Sequence, residues 1–191
     1  MTSSDEVLSF WFGEPGTPEH GTACKAWFTR SPTFDEEIRR RFAAMHAAAV
    51  EGGLEDWEGE PRSTLALIIV LDQFSRNLHR DSARAFDGDA RALALARWTV
   101  SATWDTELTP LEREFVYMPY AHSESPEMQE EAVRLFGKLA QYPETRDLQR
   151  WAEAHARIIE RFGRFPHRNA VLGRPSTPEE IAFLKELGSS F

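Results

Sequence analysis

An eight-residue run of apolar and small side chains, Thr64 to Leu71, passes without a break into Asp72-Gln73-Phe74-Ser75-Arg76-Asn77-Leu78-His79-Arg80. A helix of this composition is buried on every side, so the fold must also house polar groups in its interior. At 100° per residue, Asp72, Arg76 and His79 continue the stripe of Leu65, Ile68 and Ile69, and Gln73 and Asn77 continue that of Ala66 and Val70. Leu67, Leu71, Phe74 and Leu78 complete the third side. A buried polar group without a partner costs roughly 1–3 kcal/mol, and a charge costs more. The run therefore predicts an internal polar cluster whose partners come from other segments.

The remaining helices are marked by their starts. Ser31-Pro32, Thr109-Pro110, Ser125-Pro126 and Thr177-Pro178 place a capping hydroxyl at the N-cap and a preset φ in the first turn. Thr109 to Glu112 and Thr177 to Glu180 also read as capping boxes. Steps of three and four link Phe34, Ile38, Phe42 and Met45, and again Leu148, Trp151, His155, Ile158, Ile159 and Phe162. Helices are predicted near 5–12, 33–51, 63–79, 88–104, 110–118, 126–142, 145–162 and 178–187, with nothing alternating at period two. The fold class is all-α, and residues 1–191 read as a single helical domain of helices joined mostly by short connections.

With 31 acidic against 22 basic residues the formal charge is -9. That balance argues against a nucleic-acid or anionic-membrane binder, both of which rely on clustered positive charge. The single cysteine, Cys24, forms no internal disulfide and offers no thiol pair for zinc, so a reduced, cytoplasmic setting is expected. Neither a signal-peptide pattern at the first residues nor an apolar stretch of membrane-span length is present in the sequence.

Four segments place polar residues where packing alone would not. The first holds Asp72, Gln73, Arg76 and Asn77, read either as an Asp72 to Arg76 ion pair locking helices together or as one wall of a pocket. In the second, Pro119-Tyr120-Ala121-His122-Ser123-Glu124, the helix is expected to stop at Pro119. His122 and Glu124 then sit at a rigid junction as an acid/base pair, as two ligands of a metal, or as structural caps. The third is His155, alone on an apolar stripe. The fourth, Arg161-Phe162-Gly163-Arg164-Phe165-Pro166-His167-Arg168-Asn169, offers Arg164, His167 and Arg168 to an anion, or else to a helix C-terminus and the acidic residues Asp72 and Glu124.

Leu71 to Asn77, Pro119 to Glu124, Arg161 to Asn169 and Leu172-Gly173-Arg174, with Val7 to Gly13 and Trp27-Phe28, resemble a mainly bacterial domain-of-unknown-function family with a tetratricopeptide (TPR)-like all-helical fold. The resemblance spans nearly the whole chain. It implies a stack of antiparallel helix hairpins and supplies no reaction and no catalytic residue.

The leading functional expectation is a pocket lined by Asp72, Gln73, Arg76, Asn77, His122, Glu124, His155, Arg164, His167 and Arg168 that receives a small anion or a peptide carboxylate, with no cofactor. A second is an acid/base hydrolase, metal-independent or metal-assisted, that uses His122 or His167 with Asp72 or Glu124, although no nucleophile motif, phosphate loop or zincin helix is present. A third makes the cluster structural and the surface a protein-binding face, in which case Trp11, Trp27, Trp57 and Trp104 would include exposed aromatics.

Overall fold

The computed structural model describes residues 3–186, 188 and 189, and among them every regular element is helical. The helices are α1 (Ser4–Phe12), α2 (Pro32–Val50), α3 (Pro61–Ile69), α4 (Ser75–Leu78), α5 (Asp89–Ser101), α6 (Pro110–His122), α7 (Pro126–Leu139), α8 (Leu148–Phe162) and α9 (Pro178–Phe183). Helix α5 packs on α6, α6 on α7 and α7 on α8, while α3 packs against α1, α5 and α6. Position 187, where the sequence reading ends the last helix, lies outside the described residues.

The local signals explain most of the boundaries. Ser31, Thr109 and Thr177 accept hydrogen bonds from first-turn N–H groups, and the latter two complete capping boxes with Glu112 and Glu180. Ser125 does not cap with its side chain, contrary to the sequence reading; α7 begins on Pro126 alone. Helix α6 does not stop at Pro119 either. It continues to His122 with the proline inside it. Pro119 lacks the N–H that would bond the Phe115 carbonyl, yet burial of Tyr117, Met118, Tyr120 and Ala121 carries the helix through. That extra turn presents His122 from the end of a helix rather than from a loop.

The long central helix also departs from regularity. Residues Thr64 to Ser75 are all buried, as the composition requires, but Val70–Phe74 form a π turn between α3 and α4. A π turn closes over one residue more than an α turn, and such turns gather at functional positions. Here it breaks the 100° phase on which Gln73 and Asn77 share a stripe. Asn77 points away from the polar cluster and donates to Asp35 of α2 at 2.7 Å, beside Arg80, which pairs with the same carboxylate.

The N-terminus of α5 lies directly on the π turn. A Cβ on Gly88 would stand 2.3 Å from the Leu71 carbonyl oxygen, so only glycine permits the approach that brings Asp89 to Arg76. Because the obstructing atom is backbone, Gly88→Ala must displace the start of α5. The expected loss is about 1–3 kcal/mol, read as a lower urea midpoint at unchanged slope. A midpoint equal to wild type would contradict this packing.

Candidate functional site

The π turn, the start of α5, the end of α6 and the 3-10 turn Pro166–Arg168 meet around a cavity of about 240 Å³. Its polar walls are Asp72, Asp89, His122, Ser123, Glu124 and Arg168; Ala90, Leu93 and Pro119 supply an apolar side. The first, second and fourth polar segments of the sequence therefore converge here, and His155 packs just behind them.

Asp72 lies at the base, 1% exposed, and holds three partners. Arg76 Nη1 lies 3.0 Å from Oδ1, His122 Nδ1 lies 2.7 Å from the same oxygen, and the Gln73 amide donates to Oδ2 at 2.5 Å. Burial alone would raise the Asp72 pKa, but the Arg76 guanidinium and the contacts with His122 and Gln73 outweigh it and hold the carboxyl well below its ordinary range. A carboxylate only accepts hydrogen bonds, so His122 donates through Nδ1–H and its Nε2 is the basic nitrogen of the neutral ring. Burial and the Arg76 charge push the His122 pKa down, against the opposing pull of Asp72. At neutral pH the pair is a carboxylate orienting a neutral imidazole, and the His122 side chain retains 12% exposure on the cavity wall.

Arg76 is spent within the site. It donates to both oxygens of Asp89, at 3.0 and 3.3 Å, and to the Asp72 carbonyl at 2.7 Å. Glu124 is spent as well: Arg174 donates to both of its oxygens and the Phe165 N–H to one, and these bonds overcome burial to lower its pKa. Arg168 differs from both. Its guanidinium carbon sits 4.6 Å from the ring centres of Phe86 and of Phe165, its side chain is 9% exposed, and its nearest ion pair, with Asp89, is 3.6 Å long. Among the described residues its Nε–H has no hydrogen-bond partner. Burial, with the neighbouring Arg76 charge, pushes its pKa down to about 10.

Other residues of the sequence-predicted set fall into two groups. Gln73 supports Asp72 and also donates toward the Met118 sulfur at 3.2 Å. His155 donates through Nδ1 to the Trp151 carbonyl at 3.0 Å and packs on Trp151 and Phe165, and burial pushes its pKa down to about 3. His167 neighbours Phe165, and burial pushes it down to about 4. Asn77 and Arg164 lie elsewhere. Arg164 grips both oxygens of Glu180 and the Pro175 carbonyl, so it fastens α9 rather than lining the cavity. Asp89 and Phe86 belong to the site but were not marked by the sequence, where Gly88-Asp89 reads only as a helix start.

Another histidine–hydroxyl contact, His46 Nε2 to Ser75 Oγ at 2.7 Å, is structural. Ser75 is fully buried and its hydroxyl donates to the Leu71 carbonyl, so His46 must donate to it and is not acting as its base. Among the described residues no group of three or more His, Cys, Asp or Glu is arranged to hold a metal ion, and no helix is long and apolar enough to cross a membrane. Trp11, Trp27 and Trp57 are buried and Trp104 is half-buried, so these aromatics do not form an exposed docking face; the exposed tryptophan is Trp98.

None of the curated proteins matches the chain. A solved structure, the protein of unknown function ATU0120 from Agrobacterium tumefaciens, shares 34% identity and superposes with a TM-score of 0.82, covering 95% of this chain and 96% of its own. The model of a family described as bacterial protein of unknown function (DUF924) matches residues 7–188. The all-helical fold and the extent of both matches lead to one assignment: the chain belongs to this bacterial family.

Proposed function

We propose that the chain binds a small anion, or the carboxylate of a peptide, in the cavity beside Arg168. The observation that carries this reading is the guanidinium itself: nearly buried, flanked by two aromatic rings, and short of hydrogen-bond acceptors where every carboxylate on the same wall is already engaged. A buried donor without an acceptor costs about 1–3 kcal/mol. An anion seated against it recovers that cost and adds charge-assisted bonds of the bidentate kind that guanidinium favours.

The test is a thermal-shift screen of small carboxylates, phosphate and short peptides. A ligand that binds only the folded state raises the melting temperature. We expect a rise for the wild type and at least a tenfold weaker apparent affinity for Arg168→Gln, matching the roughly 1.5–3 kcal/mol of a hydrogen bond to a charged group. An equal response of wild type and variant to every anion would reject the reading.

The Asp72–His122 pair favours a second reading, acid/base chemistry on the bound anion. Its 2.7 Å contact fixes the imidazole with Nδ1 protonated, and the ring reaches the cavity. This is how a carboxylate orients a general base. Hydrolysis of small esters or amides carrying a carboxylate, lost in His122→Gln while carboxylate binding persists, would support it.

A further inference from the structure

Resting on the anion reading, we infer that the ligand is a short monocarboxylate with an apolar body rather than a phosphate or another dianion. The charges of the wall lead to this choice. Asp72, Asp89 and Glu124 carry three negative charges close to the cavity, and Arg76, Arg168 and Arg174 carry three positive ones, so the pocket is formally balanced before anything enters. The first negative charge of a ligand meets the unspent donors of Arg168. A second has no corresponding guanidinium, since Arg76 is held by Asp72 and Asp89 and Arg174 by Glu124. It would instead face three carboxylates in a site of reduced dielectric, where like charges repel more strongly than in water.

Shape and polarity agree with charge. The Arg168 guanidinium lies against the rings of Phe86 and Phe165, which offer its N–H groups no oxygen acceptor, and a planar carboxylate is the group that meets a guanidinium with two parallel bonds. Beyond it the wall turns apolar at Ala90, Leu93 and Pro119. A cavity of about 240 Å³ has the volume of about eight water molecules. That is enough for a carboxylate with a chain of a few carbons.

Calorimetric titration of the folded protein with butyrate, butyramide, inorganic phosphate and butylphosphonate separates the possibilities. Phosphonate is measured above its second pKa, where it is a dianion. Butyrate is expected to bind at least tenfold more tightly than butyramide, phosphate or the phosphonate dianion, and its binding is expected to be lost in Arg168→Gln. Leu93→Trp, which fills the apolar end and leaves every charge in place, should also abolish it, so the result does not depend on the folding of one variant. Phosphate or the phosphonate dianion binding more tightly than butyrate would overturn the monocarboxylate inference while leaving the anion site standing. Absence of binding by every anion, or equal binding of butyrate and butyramide, would overturn the anion reading itself.

Discussion

At pH 8, Glu114→Gln is expected to be more stable than the wild type by about 4 kcal/mol, and this advantage is expected to shrink toward zero as the pH is lowered to the ordinary carboxylate range. Glu114 lies on α6, one turn before Met118 and two before His122. It is 2% exposed, and its Oε1 has no hydrogen-bond partner among the described residues. Burial pushes its pKa up from 4.5 to about 8. Below the lower value the folded and unfolded chains both carry the proton, and the carboxyl adds no penalty of charge. As pH rises from there, the unfolded chain releases the proton while the folded chain keeps it. The Glu114 contribution to stability then falls by about 1.4 kcal/mol for each pH unit until the folded carboxyl ionises too. Glutamine keeps the shape and the neutral state of the protonated acid at every pH. Urea unfolding of the two proteins at pH 5, 6, 7 and 8 measures the difference; parallel curves would show that Glu114 does not titrate this way.

Replacing Arg76 by alanine is expected to cost about 3–5 kcal/mol, the range for breaking a buried ion pair from one side. The arginine joins three elements: it holds Asp72 of the π turn, its carbonyl, and both oxygens of Asp89 at the start of α5. Without it Asp72 stays buried with only His122 and Gln73, and Asp89 keeps Arg168 at 3.6 Å. The loss also has a sign in pH. Arg76 repels the protonated form of His122, so its removal raises the His122 pKa. A group whose folded-state pKa rises contributes most when protonated, so the deficit against wild type shrinks as pH falls toward the histidine range, where His122 takes over as the cation beside Asp72. Unfolding at pH 8 and pH 6, with a proton NMR titration of His122, checks both parts. A deficit below 1 kcal/mol with an unmoved His122 titration would remove Arg76 from the centre of the site.

What was legible in the sequence was what depends on neighbours in the chain. The hydroxyls of Ser31, Thr109 and Thr177 satisfy N–H groups three residues on, and those helix starts were readable. Buried polar residues at 72 to 76 required partners, and the Asp72–Arg76 pair lies one turn apart. The identity of the distant partners was not readable, because Asp89 and Phe86 reach the cluster only through the close approach of Gly88 to Leu71. Helical phase misplaced Asn77, since nothing local signals a π turn inside an apolar helix. Arg164 and Arg168, four positions apart, read as one anion-binding set. Between them, however, the backbone is extended at Phe165 and then closes into the 3-10 turn Pro166–Arg168, and the two part: Arg164 pairs with Glu180 and Arg168 lines the cavity. In the sequence Pro119 reads as a stop because proline usually is one; burial of the turns around it outweighs the lost hydrogen bond.

The most direct test of the Arg168 site is the arginine side-chain N–H spectrum recorded during titration with butyrate. The Arg168 Nε–H resonance, assigned by its loss in Arg168→Gln, is expected to move saturably downfield as it gains an acceptor, with the His122 ring responding alongside. An Arg168 resonance that stays fixed while exposed arginines such as Arg150 drift in proportion to added salt would contradict it, and would return the polar cluster to a purely structural role.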